Sequence, residues 1–223
     1  MDMLDPLPPS VLRDRLIALA DVYARADAAV DAFVAASGLA CPFGCGTCCE
    51  AFIPDILPVE ADFVALHLVR HDRDDAYRLA ARGLSAQSHD GGRLGCPLYR
   101  ADTPYHCGVY ENRPLICRMF AFSAVRDKHG HSAFSLCKLM PVQPQQIRNG
   151  VGSELVSIFH AEPPVMADFG SELVGIDPAV AGIRRPIHEL IGPAIMKLLF
   201  LVGMGSNPEG NGPPVSPPVP RAS

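Results

Sequence analysis

Eight cysteines dominate the chemistry available to this chain, and they fall into two groups along the sequence. They stand at Cys41, Cys45, Cys48, Cys49, Cys96, Cys107, Cys117 and Cys137. Thiolates are soft ligands that suit zinc, copper(I) and iron–sulfur centres, and close spacing lets one loop offer several of them to one metal. Gly44 and Gly46 give the first loop backbone freedom and let amide groups approach sulfur or metal closely. The pattern predicts a metal site with all eight cysteines as candidate ligands.

Disulfides and inert buried thiols are the competing interpretations of the same cysteines. Disulfides need an oxidising compartment. Residues 1–9 have neither the basic start nor the apolar stretch of a secretory signal, so we expect a cytoplasmic protein. The adjacent Cys48 and Cys49 would also be poor partners in a disulfide framework. Metal binding is therefore the favoured interpretation.

Composition limits the other classes of function. The 223 residues carry 19 basic and 24 acidic side chains, and this net charge of −5 argues against a nucleic-acid binder and against binding to an anionic membrane surface. The absence of tryptophan leaves little material for stacking on bases. With 22 prolines and 19 glycines, we expect short helices joined by irregular segments. The predicted fold is mainly α: a small irregular helical domain organised around a cysteine-ligated metal site, with one short β-hairpin.

The helices that must position the cysteines can be read from apolar spacing and from capping residues. A core-facing amphipathic helix should run between Ser10, a suitable N-cap, and Gly38, a suitable C-cap. Further helices are expected at 59–71, 74–86, 153–158 and 186–202, with a hairpin that starts at 119–125 and returns towards Cys137. Only short pieces are expected at 161–183. We therefore divide the chain into a flexible N-terminus at 1–9, a single metal-binding domain at 10–204 with its cysteine-cluster core at 41–140, and a disordered proline-rich tail at 205–223.

Taken together, the cysteine segments resemble a known family of zinc- or iron-chelating domains, also grouped as YkgJ-type or Fe–S-cluster-containing proteins. The resemblance covers about residues 41–140 and rests on three stretches: Cys45-Gly46-x-Cys48-Cys49, Cys96-Pro97-x-Tyr99 and Cys107-x-x-Tyr110-x-x-Arg113-Pro114-x-x-Cys117-Arg118. It implies that the cysteines are metal ligands, in a family whose members mostly have no established activity. The first two cysteines of the family are commonly two residues apart, whereas three residues separate Cys41 from Cys45.

Other side chains of the motif are candidates for the surroundings of the metal. Arg113 and Arg118 can offset thiolate charge or donate hydrogen bonds to sulfur, and Tyr110 can pack beside the site. His106, His129 and His131 are alternative ligands, since histidine can replace cysteine at zinc. Four thiolates make one tetrahedral zinc site or hold one iron–sulfur cluster, so eight can make two sites or one site with thiolates to spare.

The sequence therefore predicts a metal-binding protein that holds zinc or an iron–sulfur cluster in a structural, metal-handling or sensing role. The metal ion is the expected partner, with no nucleic acid and no membrane. The alternative is an Fe–S-dependent enzyme, either an oxidoreductase or a protein resembling the lysine N-methylases that carry a similar cysteine cluster. No glycine-rich dinucleotide-binding loop supports that alternative. A third interpretation is an interaction module with the proline-rich tail as its contact.

Overall fold

A computed structural model describes residues 7–89, 92–141, 149–180 and 182–205 of the chain. Helices predominate among these residues, with a few short strands between them, so the prediction of a mainly α fold is confirmed. The helices are α1 (Val11–Ser37), α2 (Thr47–Glu50), α3 (Pro58–His71), α4 (Arg73–Arg82), α5 (Leu115–Met119), α6 (Glu154–Phe159), α7 (Met166–Ile176) and α8 (Ile187–Gly205). The strands are β1 (Asp55–Ile56), β2 (Gln87–His89), β3 (Arg93–Gly95), β4 (Val125–Arg126), β5 (Ser132–Ser135), β6 (Asn149–Val151) and β7 (Arg185–Pro186).

Helix α1 begins and ends as its capping residues predict. The Ser10 hydroxyl accepts a hydrogen bond from the Arg13 amide at 3.2 Å, and Gly38 takes the left-handed φ of 69° that closes the helix. The apolar stripe of α1 is buried, with Leu16, Leu19, Val22, Tyr23, Ala26, Val30 and Phe33 facing the interior. The prediction of a core-facing helix is therefore confirmed.

Two hydrophobic cores hold the chain together. The first core lies where α3 packs against α1, α4 and α8. The second core is smaller and includes a trio of aromatic rings whose centroids lie 5.1–6.0 Å apart. The residues of the second core are Phe33, Leu39, Ala124, Phe134, Leu136, Met140, Leu155, Phe159 and Val165. Because α1 contributes side chains to both cores, it links them along its length.

Helix α3 buries two carboxylates inside the first core. Glu60, 1% exposed, accepts hydrogen bonds from the Tyr23 hydroxyl at 3.0 Å, the Leu57 amide at 2.8 Å and the Leu115 amide at 2.9 Å. One carboxylate thereby joins α1, the start of α3 and the start of α5. Burial raises the pKa of the Tyr23 hydroxyl, and the negative charge of Glu60 raises it further. The hydroxyl therefore stays protonated and remains a hydrogen-bond donor. Asp62 pairs with Lys197 of α8 at 2.6 Å.

The strands form three small antiparallel sheets. Strand β1 pairs with β7, β2 pairs with β3, and β4, β5 and β6 make a three-stranded sheet in that order. The predicted hairpin is present in the last of these, but its first strand starts at Val125. The prediction of a strand from residue 119 is wrong, because Pro114 starts a helical turn and Glu60 accepts the free Leu115 amide of that turn.

Two other predictions need correction. Helix α4 ends at Arg82 rather than near residue 86, because Gly83 takes a φ of 76°. The segment at 161–183 contains more than short pieces, since α7 is an 11-residue helix that runs through Gly170 and Gly175. Burial of Leu173 in the first core offsets the low helix propensity of these glycines.

The ends of the chain are only partly described. Leu7, inside the segment predicted to be flexible, is buried in the first core. The predicted proline-rich tail starts at the last residue of α8 and otherwise lies outside the described residues. No helix among the described residues is both long and apolar enough to cross a membrane.

Candidate metal centre

The first cysteine loop is a tight turn followed by the single-turn helix α2. The Cys45 amide donates to the Pro42 carbonyl at 3.1 Å, and Gly44 inside this turn takes a φ of 67°, which favours glycine. The turn accommodates the additional residue between Cys41 and Cys45. Helix α2 carries Cys48 and Cys49. One short stretch thus presents four thiols, as the sequence predicts.

Backbone hydrogen bonds bring the second group of cysteines to this loop. The Cys96 amide donates to the Cys49 carbonyl at 2.8 Å, which places Cys96, directly after β3, against α2. Cys107 in turn lies opposite Tyr99 in an isolated antiparallel bridge, and the Gly108 amide donates to the Leu98 carbonyl at 2.9 Å. Three segments that are far apart in sequence therefore meet at Cys49, Cys96 and Cys107.

Cys117 completes this group from α5. The position of α5 is fixed by the Glu60 carboxylate at its first turn and by burial of Leu115 and Met119 in the first core. Burial is the largest effect that raises the pKa of the Cys117 thiol. The nearby thiolates of Cys96, Cys107 and Cys48 raise it further. Burial likewise raises the pKa of Cys96 to about 11. These thiols therefore stay protonated until a cation compensates their charge, and metal binding should release protons.

The adjacent cysteines of α2 differ from each other. A hydrogen bond donated by the Cys49 thiol lowers the pKa of Cys48 to about 6, and the same bond raises the pKa of Cys49. Cys48 is therefore the thiol of the pair that ionises first, and a thiolate is the form that binds metal.

The eight cysteines, all within the described residues, are in the thiol form and are not paired in disulfides. Among the described residues, no three His, Cys, Asp or Glu side chains already surround one point as a bound metal ion requires. The donors fit zinc or an iron–sulfur cluster by their chemistry, since neighbouring thiols from several segments are the ligands that both prefer. Binding would turn the side chains towards a common point.

The three motif residues predicted around the site occupy different places. Arg113 lies 3.9 Å from the centre of the Tyr110 ring, and its positive charge lowers the pKa of the Cys107 thiol against the larger effect of burial. Arg118 is buried over the Tyr23 ring at 4.3 Å and pairs with Asp27 of α1. The charge of Arg113 thus acts on a thiol. Arg118 instead holds α5 on α1 and donates hydrogen bonds to the Glu111 and Arg113 carbonyls.

Two histidines border the cysteine segments, and one of them was not anticipated from the sequence. His89 and His106 both pack on the Tyr99 ring, with centroid distances of 4.7 Å and 5.5 Å. His89 Nε2 and His106 Nδ1 are buried and have no hydrogen-bond partner among the described residues. No pattern in the sequence pointed to His89, since only the β2–β3 hairpin brings it beside Gly95, the residue before Cys96. His129 and His131, the other histidine candidates, are exposed in the turn between β4 and β5.

The glycine before Cys96 makes the contact between segments possible. A Cβ atom at Gly95 would lie 2.5 Å from the Cys49 carbonyl oxygen and 2.8 Å from the Glu50 carbonyl carbon, both of which are backbone atoms that cannot turn aside. We expect Gly95→Ala to separate β3 from α2, lowering the metal content per chain and reducing the melting temperature. Metal analysis and thermal unfolding of the same sample would measure both effects.

Gly175→Ala is the matched control, because nothing lies within 4 Å of its added Cβ and α7 favours alanine. That variant should keep the metal content and the stability of the parent. Equal behaviour of the two variants would show that the packing at Gly95 does not support the site.

Comparison with known proteins agrees with the cysteine geometry. Residues 40–146 match the sequence profile of the CxxCxxCC family, which is described as "Putative zinc- or iron-chelating domain". The match includes all eight cysteines. Comparison with curated proteins gave no significant match, and neither did comparison with solved structures. Residues 40–146, just under half of the chain, are therefore similar to the CxxCxxCC family of chelating domains.

Proposed function

We propose that this protein binds zinc or an iron–sulfur cluster through the thiolates of Cys49, Cys96, Cys107 and Cys117, and that this centre stabilises the fold. The observation that carries the proposal is the 2.8 Å hydrogen bond from the Cys96 amide to the Cys49 carbonyl, which ties the two cysteine groups together at the backbone. The match of residues 40–146 to a family of chelating domains supports metal as the ligand.

The physical effect of the metal would be to cross-link segments that are far apart in sequence. Residues 49 and 117 are joined by a long connection, and closing such a loop in the unfolded chain costs entropy that metal–ligand bonds can offset. The segments that carry Cys49, Cys96 and Cys107 already pack against the first core. Metal binding would therefore fix the positions of these three segments, which their packing on the first core already brings close.

Four thiolate ligands also define what the centre would do. A site closed by four protein ligands has no open coordination position for a substrate, which favours a structural or sensing role over catalysis. The concentrated negative charge is partly offset by Arg113, whose charge acts on Cys107.

The test is to purify the protein without oxygen, record its visible absorption, and assay iron, zinc and acid-labile sulfide on the same sample. A coloured protein with matching iron and sulfide would identify a cluster, with sensing or electron transfer as its role. A colourless protein with stoichiometric zinc would identify a structural or zinc-handling centre. A protein that folds fully and contains no metal would contradict the proposal.

A further inference from the structure

We propose that the chain carries a second metal centre, formed by Cys41, Cys45, Cys48 and Cys137, that holds a soft divalent cation such as zinc and exchanges it faster than the first centre. This inference depends on the proposed function, since it assigns the four cysteines that the first centre leaves unused. The first set is Cys49, Cys96, Cys107 and Cys117, called the inner set below, and the second is called the outer set.

The two sets differ in their access to solvent. Cys41 and Cys48 of the outer set are exposed, and Cys45 and Cys137 are half-buried. The inner set has no exposed member, and Cys96 is 8% exposed. Exchange of a metal ion between thiolates proceeds by attack of an incoming ligand, which requires that the ligand reach the site. The outer set is therefore the one open to exchange.

The two sets also pack on different parts of the protein. Cys49, Cys96 and Cys107 belong to the first core or pack on it, whereas Cys137 packs on the second core. Leu39 and Leu136 are buried together in the second core. These leucines lie two residues before Cys41 and directly before Cys137, so the second core places those cysteines on the same side of the molecule.

The cysteine loop supplies the remaining two ligands. The turn from Pro42 to Cys45 folds the chain back towards Cys41, and α2 follows with Cys48. A divalent cation bound by the outer set would relieve the repulsion among its four thiolates.

Cys48 and Cys49 would then serve different centres. Adjacent residues on a helix point about 100° apart, which suits ligation of two different metals better than of one. Because Cys48 and Cys49 are adjacent residues of α2, the two centres would be neighbours. The outer centre could exchange its ion while the inner centre keeps the fold intact.

The test uses the full chain, purified without oxygen and kept reduced. The protein is treated briefly with EDTA, desalted, assayed for retained zinc and iron, and then titrated with Co²⁺, whose thiolate charge-transfer absorption reports cysteine ligation. We expect the parent protein to retain its inner metal and to take up one equivalent of cobalt per chain. The double variant Cys41→Ser/Cys137→Ser should retain the same inner metal and show at least a tenfold loss of cobalt affinity. The variant Cys96→Ser should lose the retained metal.

The possible results separate this inference from the proposed function. Retained metal without cobalt uptake would overturn the second centre and leave the first in place. Unchanged cobalt affinity in the double variant would overturn the assignment of Cys41 and Cys137. Uptake of two equivalents after EDTA treatment would overturn the difference in exchange. Absence of both retained metal and cobalt uptake would overturn the proposed function itself.

Discussion

Cys117→Ser should remove the inner metal and lower the melting temperature of the protein by on the order of 10 °C or more. Structural metal binding contributes several kcal/mol of folding free energy, and about 1 kcal/mol shifts the melting temperature of a chain of this size by about 2–4 °C. Serine is a weak ligand for a soft metal, so the other three thiolates would be left without a closed site. Thermal unfolding by circular dichroism, with metal analysis of the same sample, measures both quantities.

Cys137→Ser is the control for this experiment, because serine at that position leaves the inner set complete. It should change the melting temperature much less than Cys117→Ser and should leave the inner metal in place. A Cys117→Ser protein with a full complement of inner metal and an unchanged melting temperature would show that Cys117 is not a ligand.

Glu60→Ala should destabilise the protein by about 3–5 kcal/mol, because it leaves several buried donors without an acceptor. The Leu57 and Leu115 amides and the Tyr23 hydroxyl all donate to this carboxylate inside the first core. Each unsatisfied buried donor costs about 1–3 kcal/mol, and the costs do not add fully. Urea-induced unfolding gives the free energy of unfolding directly.

Tyr23→Phe separates the contributions at Glu60, since it removes one donor and leaves both amides bonded. We expect it to cost about 0.5–1.5 kcal/mol, well below the cost of Glu60→Ala. Because Leu115 begins the helix that carries Cys117, Glu60→Ala should also weaken metal retention, whereas Tyr23→Phe should not. Equal effects of the two substitutions would contradict the role of Glu60 as the acceptor that positions α5.

Local signals in the sequence were sufficient for α1, for the start of α3 and for the cysteine loop. Ser10 and Gly38 mark the ends of α1 because capping depends on the residue itself and its near neighbours. Pro58 marks the start of α3 for the same reason. The cysteine spacing likewise indicates a chelating segment, since ligands within one loop need no knowledge of the fold.

Features that depend on contacts between distant parts of the chain could not be predicted from such local signals. Glu60 looks like a favourable charge in the first turn of α3, yet its acceptor role depends on Tyr23 and on α5, 55 residues later in the chain. The five residues of α5 are too few to show a helical period, and the predicted strand wrongly began at the last of them, Met119. His89 lies beside Gly95, the residue before Cys96, only through the pairing of β2 with β3. The proposed separation of the cysteines into two sets likewise depends on tertiary packing, since Cys49, Cys96 and Cys107 pack on the first core and Cys137 on the second.

The turn from Pro42 to Cys45 affects how relatives of this chain can be recognised. It absorbs one additional residue between the first two cysteines, while the hydrogen bond from Cys96 to Cys49 holds the later part of the loop in register. Length variation should therefore be tolerated before Cys45 and not between Cys45 and Cys49. A search pattern that demands a fixed two-residue gap at the start would overlook chains with the same loop, whereas one that allows two or three residues there would include them.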